Sequence, residues 1–154
     1  MSLIKFSKIL IPIDGSEFSI RAVDYGIAMA KKEENVQLVA LHVLFFREES
    51  SISFMASLSG AHASFEIPEK INQEIERWFD KIKEKTNQNE VQLKTDVVIS
   101  AKPIIKIIVD YAEAGGFDLI VVGTRGSSHF KKLLLGGVAS GVVTYAHCPV
   151  MVIK

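Results

Sequence analysis

The sequence predicts an α/β domain in which five parallel strands form one sheet and helices cover both of its faces. Short apolar runs, which are typical of buried strands, alternate along the chain with longer segments whose apolar residues recur at helical spacing. Glycine, proline and serine separate the two kinds of segment. Because a regular succession of strand and helix is the pattern of a parallel sheet, the order β-α-β-α-β-α-β-α-β predicts this architecture.

The first strand and the first helix are predicted near the start of the chain. Lys8–Asp14 is an apolar run typical of a buried strand, and Gly15 and Ser16 mark the turn after it. Ser16 is also a favourable N-cap residue for the helix that follows. The helix is indicated by Ile20, Val23, Ile27 and Ala30, with Lys31 and Lys32 expected in its last turn, where cations suit the helix dipole.

The middle of the chain predicts two strands and a long helix. Val36–Phe45 is almost wholly apolar, as in a strand that is covered on both faces. Phe46–Phe65 is an irregular segment rich in Ser, Ala and Gly, and Glu66–Gln88 carries the apolar stripe of a helix. Val91–Ile99 alternates apolar and polar residues, so one face of this third strand is expected to be wet.

The last third of the chain predicts a helix and a strand, followed by a second such pair. Pro103 suits the first turn of a helix that ends at Gly115 and Gly116. Phe117–Val122 has the composition of a buried strand. A final helix is predicted from Gly136 onward, and Pro149–Ile153 is predicted as the final strand.

The patterns of the second and third strands decide between the two common orders of a five-stranded parallel sheet. The second strand lies at an edge in the flavodoxin-like order, whereas the third strand does so in the Rossmann-like order 3-2-1-4-5. Because the third strand alternates and the second is apolar on both faces, we predict 3-2-1-4-5. The first and fourth strands are then neighbours where the order reverses, and ligands of such sheets bind beyond the carboxyl ends of those strands.

Length and composition limit the possible classes of protein. The chain has 154 residues, which fits a single domain over residues 1–154, and its formal net charge is zero. A neutral balance argues against nucleic acid and against a polybasic membrane anchor as partners. One cysteine cannot form an internal disulfide, and we expect neither a signal peptide nor a membrane span, so a cytoplasmic location is predicted.

A set of spaced glycines follows the fourth strand at the predicted ligand edge. Two residues separate Gly123 from Gly126, and nine separate Gly126 from Gly136, which gives Gly-x2-Gly-x9-Gly. Glycines at a strand exit permit a close approach of backbone to ligand, and a helix N-terminus suits phosphate. A tight turn followed by a helix cap would also explain spaced glycines, but their position at the reversal of strand order favours binding.

This spacing and four further motifs resemble the universal stress protein family of the ATP-binding type. The motifs are residues 8–17 (KILIPIDGSE), 41–43 (LHV), 118–126 (DLIVVGTRG) and 148–150 (CPV), in that order along the chain. The resemblance covers the whole chain. It implies the adenine nucleotide alpha hydrolase-like variant of the Rossmann-like fold, a site for ATP or AMP, Mg²⁺ with the nucleotide in some members, and a homodimer.

The resemblance also implies a set of binding residues. The first-strand exit would line the adenosine pocket, Val43 would pack on adenine, the fourth-strand exit would wrap ribose and phosphates, and the last helix would donate N–H groups to phosphates. The implied nucleotide-binding residues are Pro12, Ile13, Asp14, Val43, Val122, Gly123, Thr124, Arg125, Gly126, Gly136, Gly137, Val138 and Ala139.

Three of these residues leave alternatives open. Asp14 either contacts the nucleoside or holds Mg²⁺ through water, or else it caps a helix or turn. Arg125 either pairs with phosphate or is a solvated loop residue. Gly137 stands where the family pattern has Ser or Thr, and one lost hydrogen bond to a charged group weakens binding by roughly tenfold to a hundredfold. We therefore expect AMP or ADP to compete well with ATP.

Three functions remain in competition. We favour a nucleotide-binding module of stress response or signalling that is not an enzyme. A dimeric scaffold with an empty pocket and a slow ATP hydrolase are the alternatives. Adenylyl-transferring and pyrophosphate-cleaving enzymes of this class carry His-x-Gly-His or Ser-Gly-Gly-x-Asp-Ser after the first strand, and residues 14–19 match neither. A Walker A sequence is also missing.

The last strand predicts a homodimer. Pro149–Ile153 lies at an edge of the sheet in the predicted order, yet it is almost wholly apolar. An uncovered apolar edge strand promotes aggregation. Pairing of this strand with a second copy would cover it in an isologous dimer.

Overall fold

The structure, a computed structural model, describes residues 3–46, 67–125 and 135–154. Within these ranges it confirms the predicted sheet, whose neighbouring strands all run parallel. The strands are β1 (Lys8–Pro12), β2 (Gln37–Phe45), β3 (Gln92–Ser100), β4 (Leu119–Gly123) and β5 (Val150–Ile153). Their order is β3-β2-β1-β4-β5, as predicted from the contrast between the second and third strands.

Four helices lie in the described ranges, two on each face of the sheet. The helices are α1 (Glu17–Ala30), α2 (Glu69–Gln88), α3 (Ile104–Ala114) and α4 (Gly137–Tyr145). Apolar residues of α1 and α2 form one core with the sheet, and those of α3 and α4 form a second core on the opposite face. The sheet is therefore the middle of three layers, which explains why its central strands are apolar on both sides.

Alternation along β1 shows how one strand serves both cores. Ile9 and Ile11 belong to the α1 and α2 core, whereas Leu10 between them belongs to the α3 and α4 core, and all three are fully buried. In contrast, β3 contains only exposed and half-buried residues, as expected for the predicted edge. The described helices include none that combines the length and the apolarity needed to cross a bilayer.

Several element ends differ from the sequence prediction, for local reasons. The α2 helix begins at Glu69 rather than Glu66, because Pro68 occupies the cap position with an extended ψ of 134°. Pro103 caps α3 in the same way instead of lying in its first turn. Lys31 is the C-cap of α1, so the two lysines lie at and beyond the helix end. The predicted irregular segment lies outside the described residues apart from Phe46.

We expect replacement of Ile120 by Ala to lower the free energy of unfolding by about 2–5 kcal/mol, because the side chain is fully buried in β4 and a cavity would remain. Urea unfolding followed by circular dichroism measures this change. Leu3→Ala is the control, because Leu3 is 79% exposed and its truncation should change stability by less than about 0.5 kcal/mol. Equal effects at the two positions would contradict the assignment of the core.

Candidate functional site

The candidate site is a cavity of about 380 Å³ at the carboxyl ends of the strands. β1 and β4 pair directly at this point, since Ile9 faces Leu119 and Leu10 faces Ile120. The exits of both strands, the end of β2 and the start of α4 surround the cavity. It therefore lies at the reversal of strand order, where open α/β sheets bind their ligands.

The structure brings the predicted binding residues together around this cavity. Each of them lines it except Gly126, which lies outside the described residues. Whether they bind a nucleotide remains a prediction. Sequence reasoning missed five further lining residues. Some of them follow a pattern that could have been noticed, because Ile104 and Ile108 share one face of α3 and Leu41 shares a strand face with Val43. The missed residues are Ser19, Leu41, His42, Ile104 and Ile108.

One part of the cavity is an apolar chamber between the sheet and the helices α3 and α4. Its walls include Leu41 and Val43 of β2, Ile108 of α3, Val122 of β4 and Ala139 of α4, all of them buried. Ligand pockets of this kind are mostly apolar with few polar groups that fix orientation. The chamber is therefore suited to an uncharged planar group.

The end of β2 adds backbone hydrogen-bonding groups to this chamber. The last register pair of β1 and β2 joins Pro12 to Leu41, and the Ile13 N–H donates to the Leu41 carbonyl oxygen at 2.7 Å. β2 nevertheless continues to Phe45 along β3. Because alternate residues direct their N–H and C=O to the same side of a strand, those of Val43 point to the side that β1 no longer covers.

The loop after β1 is a hydrogen-bonded turn. The Asp14 carboxylate oxygen Oδ1 accepts the Ser16 N–H at 2.9 Å, and Gly15 has a φ of +80°. The Ser16 hydroxyl oxygen accepts the Ser19 N–H at 3.2 Å, which confirms Ser16 as the N-cap of α1. Asp14 thus has the turn-forming role, while it also lines the cavity. In the described ranges, no three His, Cys, Asp or Glu side chains cluster in a way that could hold a metal ion.

Two glycines allow the exit of β4 and the start of α4 to approach other backbone segments. A Cβ atom on Gly123 would lie 2.8 Å from the backbone carbonyl carbon of Phe18, and one on Gly136 would lie 2.9 Å from the carbonyl oxygen of Thr124. The Gly136 N–H donates to that same oxygen at 2.6 Å. The N–H group expected to face phosphate from Gly136 is therefore used within the turn.

The start of α4 presents backbone donors to the cavity. The first helical hydrogen bond joins the Ser140 N–H to the Gly136 carbonyl oxygen at 2.9 Å. The N–H groups of Gly137, Val138 and Ala139 precede it, so no carbonyl of the helix is available to them. The helix dipole adds partial positive charge at the same point.

Arg125 is half-buried and lines the cavity beside the helix start. Its Nε atom is buried and has no hydrogen-bond partner among the described residues. A buried donor without a partner costs free energy. Together with the N–H groups of α4, this guanidinium makes one end of the cavity suited to a negatively charged group.

These features define a class of protein: a Rossmann-like α/β domain with an apolar chamber and an anion-suited helix start at the reversal of its strand order. The chain belongs to the universal stress protein family, whose model matches residues 5–154. The resemblance found in the sequence motifs is thereby confirmed. The universal stress protein MJ0531 of Methanocaldococcus jannaschii is 35% identical over 97% of this chain and 82% of the relative. The universal stress protein YxiE of Bacillus subtilis is 32% identical over 97% and 99%.

Solved structures of the family share the fold. The hypothetical protein MJ0577 of Methanocaldococcus jannaschii superposes with a TM-score of 0.78 and 27% identity, over 98% of this chain and 97% of that chain. Universal stress proteins from Archaeoglobus fulgidus in complex with dAMP and from Arabidopsis thaliana with AMP bound superpose with TM-scores of 0.68 and 0.63. Their identities are 18% and 17%, over 98% and 96% of this chain and 100% and 91% of theirs, so these two likenesses concern the fold alone.

Replacing Gly136 by Ala is expected to lower the free energy of unfolding by about 1–3 kcal/mol, because the new Cβ would overlap backbone atoms that cannot move aside. Backbone strain does not contribute, since Gly136 has an ordinary φ of −65°. Urea unfolding measures the change. The matched control is Gly137→Ala, whose Cβ would meet no atom within 4 Å and should change stability by less than about 0.5 kcal/mol. A harmless Gly136→Ala change would contradict the close approach.

Proposed function

We propose that this chain binds an adenine nucleotide, AMP or ATP, in the described cavity and acts as a stress-response or signalling module. The observation that carries the proposal is that one cavity pairs an apolar chamber with a helix start and a lining arginine, Arg125. A nucleoside monophosphate has the same two-part chemistry. The solved family members that hold AMP, dAMP or cAMP support this reading.

Recognition of adenine is proposed to rest on the end of β2. Val43 is buried, and its backbone N–H and C=O point to the side that β1 leaves uncovered. One donor beside one acceptor matches the hydrogen-bonding edge of adenine, which carries a ring nitrogen beside an amino group. The apolar side chains of Leu41, Ile108 and Val122 would contact the faces of the ring. Such contacts favour a flat, uncharged base.

Recognition of phosphate is proposed to rest on the start of α4. The N–H groups of Gly137, Val138 and Ala139 are donors to phosphate oxygens, and the positive charge of Arg125, which also lines the cavity, favours an anion there. Asp14 is the acidic side chain that lines the described cavity, and one of its oxygens already accepts the Ser16 N–H. Any Mg²⁺ would therefore be held mainly by the phosphates of the nucleotide, with Asp14 acting through water.

The absence of a side chain at Gly137 affects the expected preference between AMP and ATP. A Cβ atom at this position would meet no atom of residues 3–46, 67–125 or 135–154 within 4 Å, so the described part of the chain leaves the space there open. A hydroxyl at this position would be able to hydrogen-bond a phosphate, and glycine offers none. We therefore propose that ATP gains little over AMP in this cavity.

A binding role is proposed in preference to catalysis. Asp14 and His42 are the cavity-lining residues that could act as a general base, and neither side-chain hydrogen bond found for them joins a nucleophilic side chain among the described residues. The Asp14 oxygen accepts the Ser16 N–H, and the His42 Nδ1 lies 2.7 Å from the Ile13 carbonyl oxygen. We further propose that the chain acts as one domain in the cytoplasm, where adenine nucleotides are abundant, with no nucleic acid as partner.

Calorimetric titration of the nucleotide-stripped protein with AMP, ATP and cyclic AMP, with and without Mg²⁺, tests this function. We expect AMP to bind with a Kd in the micromolar range, which corresponds to a standard free energy of binding of about −8 kcal/mol. Gly137→Glu should weaken the binding of AMP roughly tenfold to a hundredfold, because a carboxylate at the helix start repels phosphate. The same carboxylate interacts favourably with the helix dipole, so the helix itself should not be destabilised.

Gly137→Ala is the matched control for this titration and should bind AMP as the parent chain does, since it adds no charge. Release of inorganic phosphate from ATP, followed over hours, measures hydrolysis in the same samples. Heat of binding from none of the nucleotides would refute the proposed function and favour a scaffold with an empty pocket. Rapid phosphate release would instead favour an ATP hydrolase.

We also propose an isologous homodimer through β5. The strand is an edge of the sheet, and Val150, Met151 and Val152 are half-buried in the single chain. Two exposed apolar residues, Val143 at 48% and Tyr145 at 70%, end the helix that precedes this strand. Pairing of two β5 strands would cover both the apolar side chains and the open backbone groups.

Replacing Val152 by Pro is expected to convert the dimer into a folded monomer, measured by sedimentation at micromolar concentration. Pro149 and Ile153 direct their carbonyl oxygens to β4, so the N–H of Val152 points to the open edge and its loss leaves the β4 ladder intact. Val152→Ala, which keeps the N–H, is the control and should remain dimeric. A parent chain that sediments as a monomer would refute the proposed dimer.

A further inference from the structure

Trp78 of α2 packs against the loop after β1 at Gly15. A Cβ atom on Gly15 would lie 2.3 Å from the Cε2 and Cζ2 atoms of Trp78, so the indole ring occupies the space that a side chain would need. Gly15 also has a φ of +80°, which other residues rarely adopt. Trp78 is the single tryptophan of the chain. The indole and the glycine therefore fit each other at this one point of the loop.

His42 of β2 holds the same loop at a second point. Its Nδ1 lies 2.7 Å from the carbonyl oxygen of Ile13, and because a carbonyl only accepts, Nδ1 carries the hydrogen. The rings of His42 and Trp78 meet edge to face, with centroids 5.3 Å apart and planes at 71°. The backbone of Ile13 and that of Gly15 are thus held by two aromatic rings that also support each other.

The two rings support the loop on the face opposite to the apolar chamber. Trp78 packs on the core formed by α1 and α2, whereas Leu41 and Val43, which line the chamber, belong to the core of α3 and α4. Ile13 and Asp14 of the loop line the cavity. The loop therefore contacts the cavity through Ile13 and Asp14 and the indole of Trp78 through Gly15, while His42 both lines the cavity and binds the loop.

We propose that His42 and Trp78 are positioning residues that hold residues 13–16 in the cavity-lining conformation and couple occupancy of the cavity to α2. The part that concerns a bound ligand rests on the proposed function. A ligand that contacts Ile13 and Asp14 would press on backbone that the indole touches directly, so the environment of Trp78 would change on binding. Ser16 has its own link to the far strand exit, because its hydroxyl approaches the Arg125 carbonyl oxygen at 3.5 Å.

The positioning role is tested first without ligand, by amide hydrogen exchange of Asp14, Gly15 and Ser16 in the full chain. Trp78→Leu should raise exchange at these amides roughly tenfold, because the packing partner of Gly15 is lost. Trp78→Phe, which keeps a ring, should restore most of the protection. Ile82→Ala is the control, since Ile82 is fully buried on the same helix and its truncation destabilises the same core while leaving the Trp78 ring in place. Unchanged exchange in Trp78→Leu would overturn the proposal.

The coupling is tested by Trp78 fluorescence during AMP titration, with calorimetry in parallel. We expect the emission of the parent chain to change during the titration, with the same midpoint concentration of AMP as in calorimetry. Trp78→Leu should weaken the binding of AMP roughly tenfold, whereas Ile82→Ala should not. AMP binding without any fluorescence change would overturn the coupling. If the parent chain binds no AMP in the calorimeter, the proposed function fails, and the exchange measurement alone decides the positioning of the loop.

Discussion

β1 and β4 pair in parallel at the centre of the sheet, and the chain leaves their carboxyl ends toward opposite faces. The helix after β1 is part of one core, and α4, which follows β4, is part of the other. In the part of the chain that the structure describes, no crossover helix therefore covers the edge between these two strands, and a crevice remains there. The cavity lies in this crevice, between the turn at Asp14 and the N–H groups at the start of α4.

Close backbone approach gives the crevice its shape. Gly123 lets the β4 exit lie against the backbone of Phe18 at the start of α1, and Gly136 lets the start of α4 lie against Thr124. The Thr124 N–H donates to the Ile153 carbonyl oxygen at 2.7 Å, which also ties the β4 exit to β5. Glycine is required at positions 123 and 136 by contact with backbone atoms rather than by an unusual φ. This explains why glycines at this spacing are informative even though a turn and a cap could also use them.

The sequence carried enough information for the sheet order and for most of the cavity. A central strand is apolar on both faces and an edge strand is not, so the places of β2 and β3 in the sheet could be predicted from the pattern of apolar residues alone. The resulting strand order brings the exit of β4, where the glycine motif begins, beside β1. The ring pair could not be predicted in this way, because His42 and Trp78 lie on different elements and their meeting depends on how α2 packs. The predicted helix start at Glu66 and the placement of Pro103 in a first turn were also wrong, since Pro68 and Pro103 are the N-caps of their helices.

The groups that would recognise a nucleotide here are largely backbone groups. Val43 offers its N–H and C=O, and the start of α4 offers the N–H groups of three successive residues, so side-chain identity matters less than backbone position. Backbone position in turn depends on apolar packing and on a few glycines, both of which many sequences can provide. A chain 27% identical to a solved family member can accordingly superpose on it with a TM-score of 0.78. On the proposed function, differences in ligand preference would then arise at the few positions where a side chain does face the ligand, above all at Gly137.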